Sequence, residues 1–167
     1  MTGSPTGSRP GRILDPDVDL RDPVQRRELP ARGWRLLAAI AAGGVIGAEF
    51  RFGVGKLLPP GEDGFPWATL LINVVGGFGM GVLMAVIARL KRPHPLLRPF
   101  AGVGVLGGFT TFSTYSTDTY RLIDAGRPEL ALAYSALTLT AALAATVAGG
   151  ALVAAWPRRP VSTGDPC

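Results

Sequence analysis

Hydroxyls, one amide and a pair of aromatic rings carry the chemistry in this sequence, and they lie in segments with few other polar groups. The densest run is Gly107-Gly108-Phe109-Thr110-Thr111-Phe112-Ser113-Thr114-Tyr115-Ser116-Thr117-Asp118. Two glycines followed by β-branched threonines make a poor helix, so a break is expected here. A break at membrane depth frees backbone carbonyls that need a partner, and a bound cation is one way to supply it. Threonines bonding back to their own helix are the other reading. Phe112 and Tyr115 are three residues apart and share a helix face. An aromatic ring has a positive edge. Two such edges among hydroxyls, Ser113 included, attract a small anion without trapping it as a full charge would. Conduction needs binding of that moderate strength. The competing reading of the pair is plain packing.

A second group lies on two other segments. Asn73 offers an amide with donors and an acceptor, suited either to a helix-to-helix hydrogen bond or to a permeating anion. Tyr134, Thr138 and Thr146 are spaced by four and then eight, with Ala142 at the intervening step. They fall on one helical stripe that either hands an anion along by donating hydrogen bonds or bonds back to its own backbone. Thr140 and Ser135 lie off it. Glu49 and Arg51 are two apart and do not share a face. Arg51 is expected to snorkel to the interface or to meet an acid such as Asp118.

The elements that hold these residues follow from charge spacing. The chain has 167 residues, 47% hydrophobic and 17% charged, with a mean hydropathy of +0.29. Gly64–Ala88, Pro99–Thr117 and Leu130–Pro157 carry no charge over 25, 19 and 28 residues, and Leu36–Leu58 is broken only by Glu49, Arg51 and Lys56. A bilayer core takes about 20 apolar residues in a helix. The expectation is an all-α membrane protein with spans over 34–57, 67–89, 97–122 and 129–156, the third one broken. One Cys and one His exclude a disulfide scaffold and a Cys/His zinc site. Cys167 is a tail thiol outside any prenylation box. The net charge of +5 reflects basic residues flanking the spans, where they anchor helices against anionic lipid, so nucleic acid is not an expected partner.

Residues 1–33 are rich in Pro, Gly, Ser, Arg and Asp without an apolar period, which reads as a disordered cytoplasmic tail. Residues 34–157 form the membrane unit, and 158–167 a polar tail. One side of the membrane holds Arg26, Arg27, Arg32, Arg35, Arg89, Lys91, Arg92, Arg98, Arg158 and Arg159; the other holds Lys56, Arg121 and Arg127. Ten against three puts both termini in the cytoplasm. Trp34, Trp67 and Trp156 sit at span ends as interfacial anchors. Gly43/Gly47, Gly77/Gly81 and Gly104/Gly108 repeat at the spacing that lets helix backbones approach closely. Four short helices leave little room for an internal pore, so an oligomer is expected.

Taken together, Gly43-Gly44-Val45-Ile46-Gly47-Ala48 with Arg51-Phe52, Thr69-Leu70-Leu71-Ile72-Asn73-Val74-Val75-Gly76, and the run from Gly107 to Ser116 resemble the Fluc (CrcB) fluoride channel family, over residues 36–156. The resemblance implies an antiparallel dimer of four-helix subunits, two fluoride pathways and a structural sodium ion at the centre. It implies that Gly107 and Thr110 offer backbone carbonyls to that Na+. It matches Asn73 to the pore asparagine, Phe112 and Tyr115 to the two aromatic fluoride-contacting positions, and Tyr134 and Thr138 to the start of the hydroxyl track. Three departures stand out: Tyr115 where Phe is usual, Ala142 in place of a hydroxyl, and Asp118 where an acid, often Glu, follows the run.

A homodimer of opposed subunits requires one chain to insert both ways, which wants balanced flanking charge. Ten against three favours instead a chain that inserts one way and pairs with a related, oppositely oriented chain. The main rival function is a small proton-coupled drug exporter, which needs an unpaired membrane carboxylate, Glu49 being the candidate. A membrane enzyme with Ser113 or Ser116 as nucleophile lacks a base, because His94 lies in a basic loop.

Overall fold

The computed structural model describes residues 33–61 and 64–156. Apart from Gly33, the tails expected at 1–33 and 158–167 lie outside the described residues. Every regular element among the described residues is helical. The order is α1 (Gly33–Leu57), α2 (Trp67–Arg89), a π-helical segment (Arg98–Leu106), a single α-turn (Gly107–Phe109), α3 (Ser113–Asp124) and α4 (Pro128–Ala155). Among the described residues, α1, α2 and α4 are long and apolar enough to cross a membrane. Their bounds lie within one residue of those expected from the apolar stretches.

Local chemistry sets the ends. Pro93 and Pro95 follow α2, whose cap Leu90 is already extended; proline lacks the N–H that would continue the ladder. Pro128 opens α4 at a position where its missing N–H costs nothing. The end of α3 is a Schellman motif: Arg127 N–H donates to Leu122 O at 2.9 Å and Gly126 N–H to Ile123 O at 2.9 Å. That geometry needs the left-handed φ of +72° found at Gly126.

Glycines set how the helices meet. A Cβ on Gly77 would lie 2.7 Å from Ala142 O, and one on Gly81 would overlap Thr146 O. One on Gly149 would overlap Phe78 O. Further along, Arg89 donates to Ala154 O at 2.7 Å and to Trp156 O at 3.0 Å. Rising numbers on both sides make α2 and α4 parallel neighbours. The same holds for α1 and the π segment: a Cβ on Gly104 would lie 2.8 Å from Gly43 Cα, and one on Gly108 2.6 Å from Gly44 O. Each of the three expected small-residue pairs is thus a backbone contact. The path from Arg98 to Asp124 runs antiparallel to α2, with Leu106 beside Gly79, Thr110 beside Gly76, and Asp118 bonded to Thr69.

Large apolar side chains mostly point outward, as at Phe50, Leu132, Leu143 and Val147, while the hydrophobic core is a small cluster of Phe65, Leu122, Ala131 and Tyr134. This is the pattern of helices that gain nothing by hiding leucine from lipid and associate through close packing and hydrogen bonds.

Candidate functional site

The site is built where the path between α2 and α4 stops being helical. Thr110 is extended, with φ −70° and ψ 158°, and α3 begins only at Ser113. In an unbroken helix Thr111 N–H would donate to Gly107 O and Thr114 N–H to Thr110 O. Both go elsewhere: Thr111 N–H donates to Asn73 Oδ1 at 2.9 Å, and Thr114 N–H to Thr111 Oγ1 at 3.1 Å. Asn73 Nδ2 returns a bond to Thr111 O at 3.0 Å. The Thr110 hydroxyl donates to Leu106 O at 3.0 Å. The amide of Asn73 is therefore a helix-to-helix link, and its second N–H is used by neither bond.

A cavity of about 480 Å³ opens beside this junction, lined by Asn73, Thr110, Phe112, Tyr115 and Thr138 among others. Phe112 is 79% exposed. Its ring lies 5.6 Å from that of Tyr115, and the Tyr115 hydroxyl donates to Ser135 O at 3.4 Å. The extra oxygen at this position thus points to the α4 backbone. Ala142 and Thr146 line the same cavity, but the Thr146 hydroxyl is spent on Ala142 O at 2.9 Å, as that of Thr140 is on Ala136 O at 2.7 Å.

Two hydroxyls of α4 behave differently. Tyr134 is 0% exposed and Thr138 3%, and neither hydroxyl has a hydrogen-bond partner among the described residues. A buried polar group without a partner is costly and points to a ligand or a water. Thr138 lines the cavity, and Tyr134 lies one helical turn past its lining. Ser113 and Thr114 face a different cavity of about 470 Å³, which they share with Arg51, Lys56 and Thr69. The lining of neither cavity includes Gly107.

Arg51 does not meet Asp118. Asp118 instead accepts a hydrogen bond from the Thr69 hydroxyl at 2.7 Å and stands 3.7 Å from Arg121. The Asp118–Arg121 spacing of three on one helix is readable from sequence. Thr69 is 49 residues from Asp118, and no local signal joins them. Glu49 sits on the outward face of α1 with Val45, Ile46 and Phe50, away from the cavity that holds the hydroxyls.

Residues 38–150 match the family model described as CrcB-like protein, Camphor Resistance (CrcB). The chain is 47% identical over 134 residues to a Streptomyces avermitilis protein named fluoride-specific ion channel FluC 2, covering 80% of this chain and 85% of that one. It is 45% identical over 141 residues to fluoride-specific ion channel FluC 1 of Streptomyces coelicolor, covering 81% and 88%. A Rhodospirillum centenum protein named fluoride-specific ion channel FluC is 42% identical over 123 residues, covering 71% and 95%.

Proposed function

This chain belongs to the CrcB-like family, and from that premise we propose that it is a subunit of a fluoride-selective channel that lets fluoride leave the cell passively and so limits its toxicity. The observation that carries this reading is the pair of buried, unpartnered hydroxyls on Tyr134 and Thr138 beside a cavity bordered by Asn73 and two aromatic rings. Fluoride is small and strongly hydrated. A path must replace its water with donors at close range, in surroundings dry enough for each to count. Beside this cavity the free N–H of Asn73 and the hydroxyls of Thr138 and Tyr134 are those donors, while the Ser113 hydroxyl serves the second cavity, which also holds Arg51 and Lys56. The ring edges of Phe112 and Tyr115 supply weak positive potential between them. No full positive charge lines the Asn73 cavity, which keeps the anion from being trapped.

The path from Arg98 to Asp124 is read as the third of four spans, interrupted at residues 110–112. Its antiparallel run along α2 supports this. A structural Na+ fits the carbonyls of Gly107 and Thr110, which have lost their helical N–H donors to Asn73 and Thr111. Such a hard cation suits carbonyl oxygens, and both subunits would contribute. The exposed ring of Phe112 favours an antiparallel dimer in which a second chain covers the open cavity. Both termini are cytoplasmic by the ten-to-three distribution of Lys and Arg. That bias favours an oppositely oriented paralogous partner over a second copy. Recovery of a single polypeptide inserted in both orientations, on pull-down of the native protein, would refute that pairing. Exposed Trp34, Trp67 and Trp156 at the helix ends suit contact with membrane lipid.

The test is fluoride efflux from liposomes against chloride, with this chain alone and with its partner. Fluoride flow with chloride retained is expected; vesicles tight to fluoride with both chains present refute the channel. Glu49→Gln separates the exporter reading, under which it abolishes transport, from the channel, under which fluoride flow persists.

A further inference from the structure

We infer that Phe65 is a positioning residue for the anion path, acting through Tyr134; this rests on the channel reading above. Five rings form an unbroken series. Trp67 lies 4.4 Å from Phe65, Phe65 lies 5.5 Å from Tyr134, Tyr134 lies 5.6 Å from Tyr115, and Tyr115 lies 5.6 Å from Phe112, centroid to centroid. The series ties an interfacial tryptophan, half exposed at 50%, to the two rings that border the cavity. Its central joint is Phe65 on Tyr134. The planes cross at 88°, the edge-to-face arrangement that the ring quadrupole favours, and Phe65 is 6% exposed.

The Tyr134 phenol has no hydrogen bond among the described residues. A buried tyrosine is ordinarily aimed by the partner of its hydroxyl. Here the Thr69 and Thr138 hydroxyls adjoin the phenol without meeting it in hydrogen-bonding geometry, so the packing of the ring against Phe65 and Tyr115 carries most of its aim. The backbone that delivers Phe65 is itself fastened: Gly64, in the left-handed region at φ +75°, donates to Gly61 O at 2.8 Å, and Trp67 N–H donates to Phe65 O at 2.9 Å. An apolar side chain outside the cavity thereby fixes where a donor inside the path points. A misaimed donor slows passage even when the donor is still present.

The experiment measures fluoride efflux from liposomes for the wild type, Phe65→Leu, Tyr134→Phe and the double variant. The expected result is a loss of about tenfold for each single change, with the double variant within about twofold of Tyr134→Phe alone. All variants are measured with the partner chain co-reconstituted, and wild-type vesicles without flux under that condition defeat the channel reading itself. Wild-type flux together with unchanged flux in Phe65→Leu, or a double variant that shows the product of the two losses, overturns this inference alone. A second readout is the NMR line of the Tyr134 ring carbon bearing the hydroxyl, in protein with labelled tyrosine, assigned by its loss in Tyr134→Phe. It should move on addition of sodium fluoride in the wild type and stay still in Phe65→Leu. Movement equal in both overturns the inference. If Phe65→Leu does not assemble, Phe65→Met carries the same comparisons.

Discussion

Asn73 and Thr111 exchange a reciprocal pair of hydrogen bonds, the amide donating to Thr111 O at 3.0 Å and accepting from Thr111 N at 2.9 Å. One side chain on α2 thus does for a non-helical residue what a neighbouring strand does in a sheet: it takes both the donor and the acceptor. Thr111 is buried, and in lipid it has no water to turn to.

Asn73→Leu, branched at the same carbon, removes both bonds. Leaving buried groups unpaired costs about 1–3 kcal/mol each, while interhelical bonds in membranes measure nearer 0.6 and at most about 1.7. The membrane range is the better guide, since the unfolded chain in lipid finds other partners. A loss of about 1–2 kcal/mol is expected in thermal unfolding in detergent, together with loss of fluoride flux. Asn73→Asp keeps the acceptor but sets an oxygen against Thr111 O, so it should fare no better.

Gly81→Ala places a methyl group on Thr146 O, a backbone atom that can yield only if α2 and α4 separate. Gly53→Ala meets nothing within 4 Å. The first is expected to cost about 1–3 kcal/mol or more and the second to leave the melting temperature unchanged. Equal melting of the two variants would refute the close approach of the helices.

Thr69→Val keeps shape and removes the 2.7 Å bond to Asp118. A hydrogen bond to a charged group contributes about 1.5–3 kcal/mol, and Arg121 at 3.7 Å, with its side chain 74% exposed, compensates little. Destabilisation in that range is expected. Asp118→Asn should cost much less in the Thr69→Val background than in the wild type, and full additivity would show that the two residues act separately.

Tyr115→Phe deletes a hydroxyl held by one long bond of 3.4 Å to Ser135 O and keeps the ring edge. Fluoride flux within about twofold of wild type is expected, because the oxygen is turned to the Ser135 carbonyl while the ring that lines the cavity is kept. Tyr115→Ile, which removes the ring, should stop flux. A Tyr115→Phe variant as slow as Tyr115→Ile would assign the role to the oxygen.

The three long helices were legible from the length of their apolar stretches, charge-free in α2 as far as Arg89 and in α4 beyond Glu129, broken by Glu49, Arg51 and Lys56 in α1, because a bilayer sets the length of what crosses it. Their glycine contacts were legible too, since a four-residue repeat marks one face. Winding was not: nothing in the sequence of Arg98–Leu106 announces a π-helix, a rare form. At the site, residue types were readable but their obligations were not. Thr146 and Thr138 look alike in sequence; one hydroxyl is spent on its own backbone and the other is not. Asn73 with Thr111 and Thr69 with Asp118 are pairs 38 and 49 residues apart, fixed only once helices pack. The proposed link between Arg51 and Asp118 failed for that reason.

Because helices here touch through glycine, the molecule should read inside out in a mutational scan. Leu132, Leu143 and Val147, large and turned outward, ought to exchange silently among oily residues. The least forgiving positions should be those with no side chain at all, Gly43, Gly47, Gly81 and Gly149, where a single added carbon has nowhere to go.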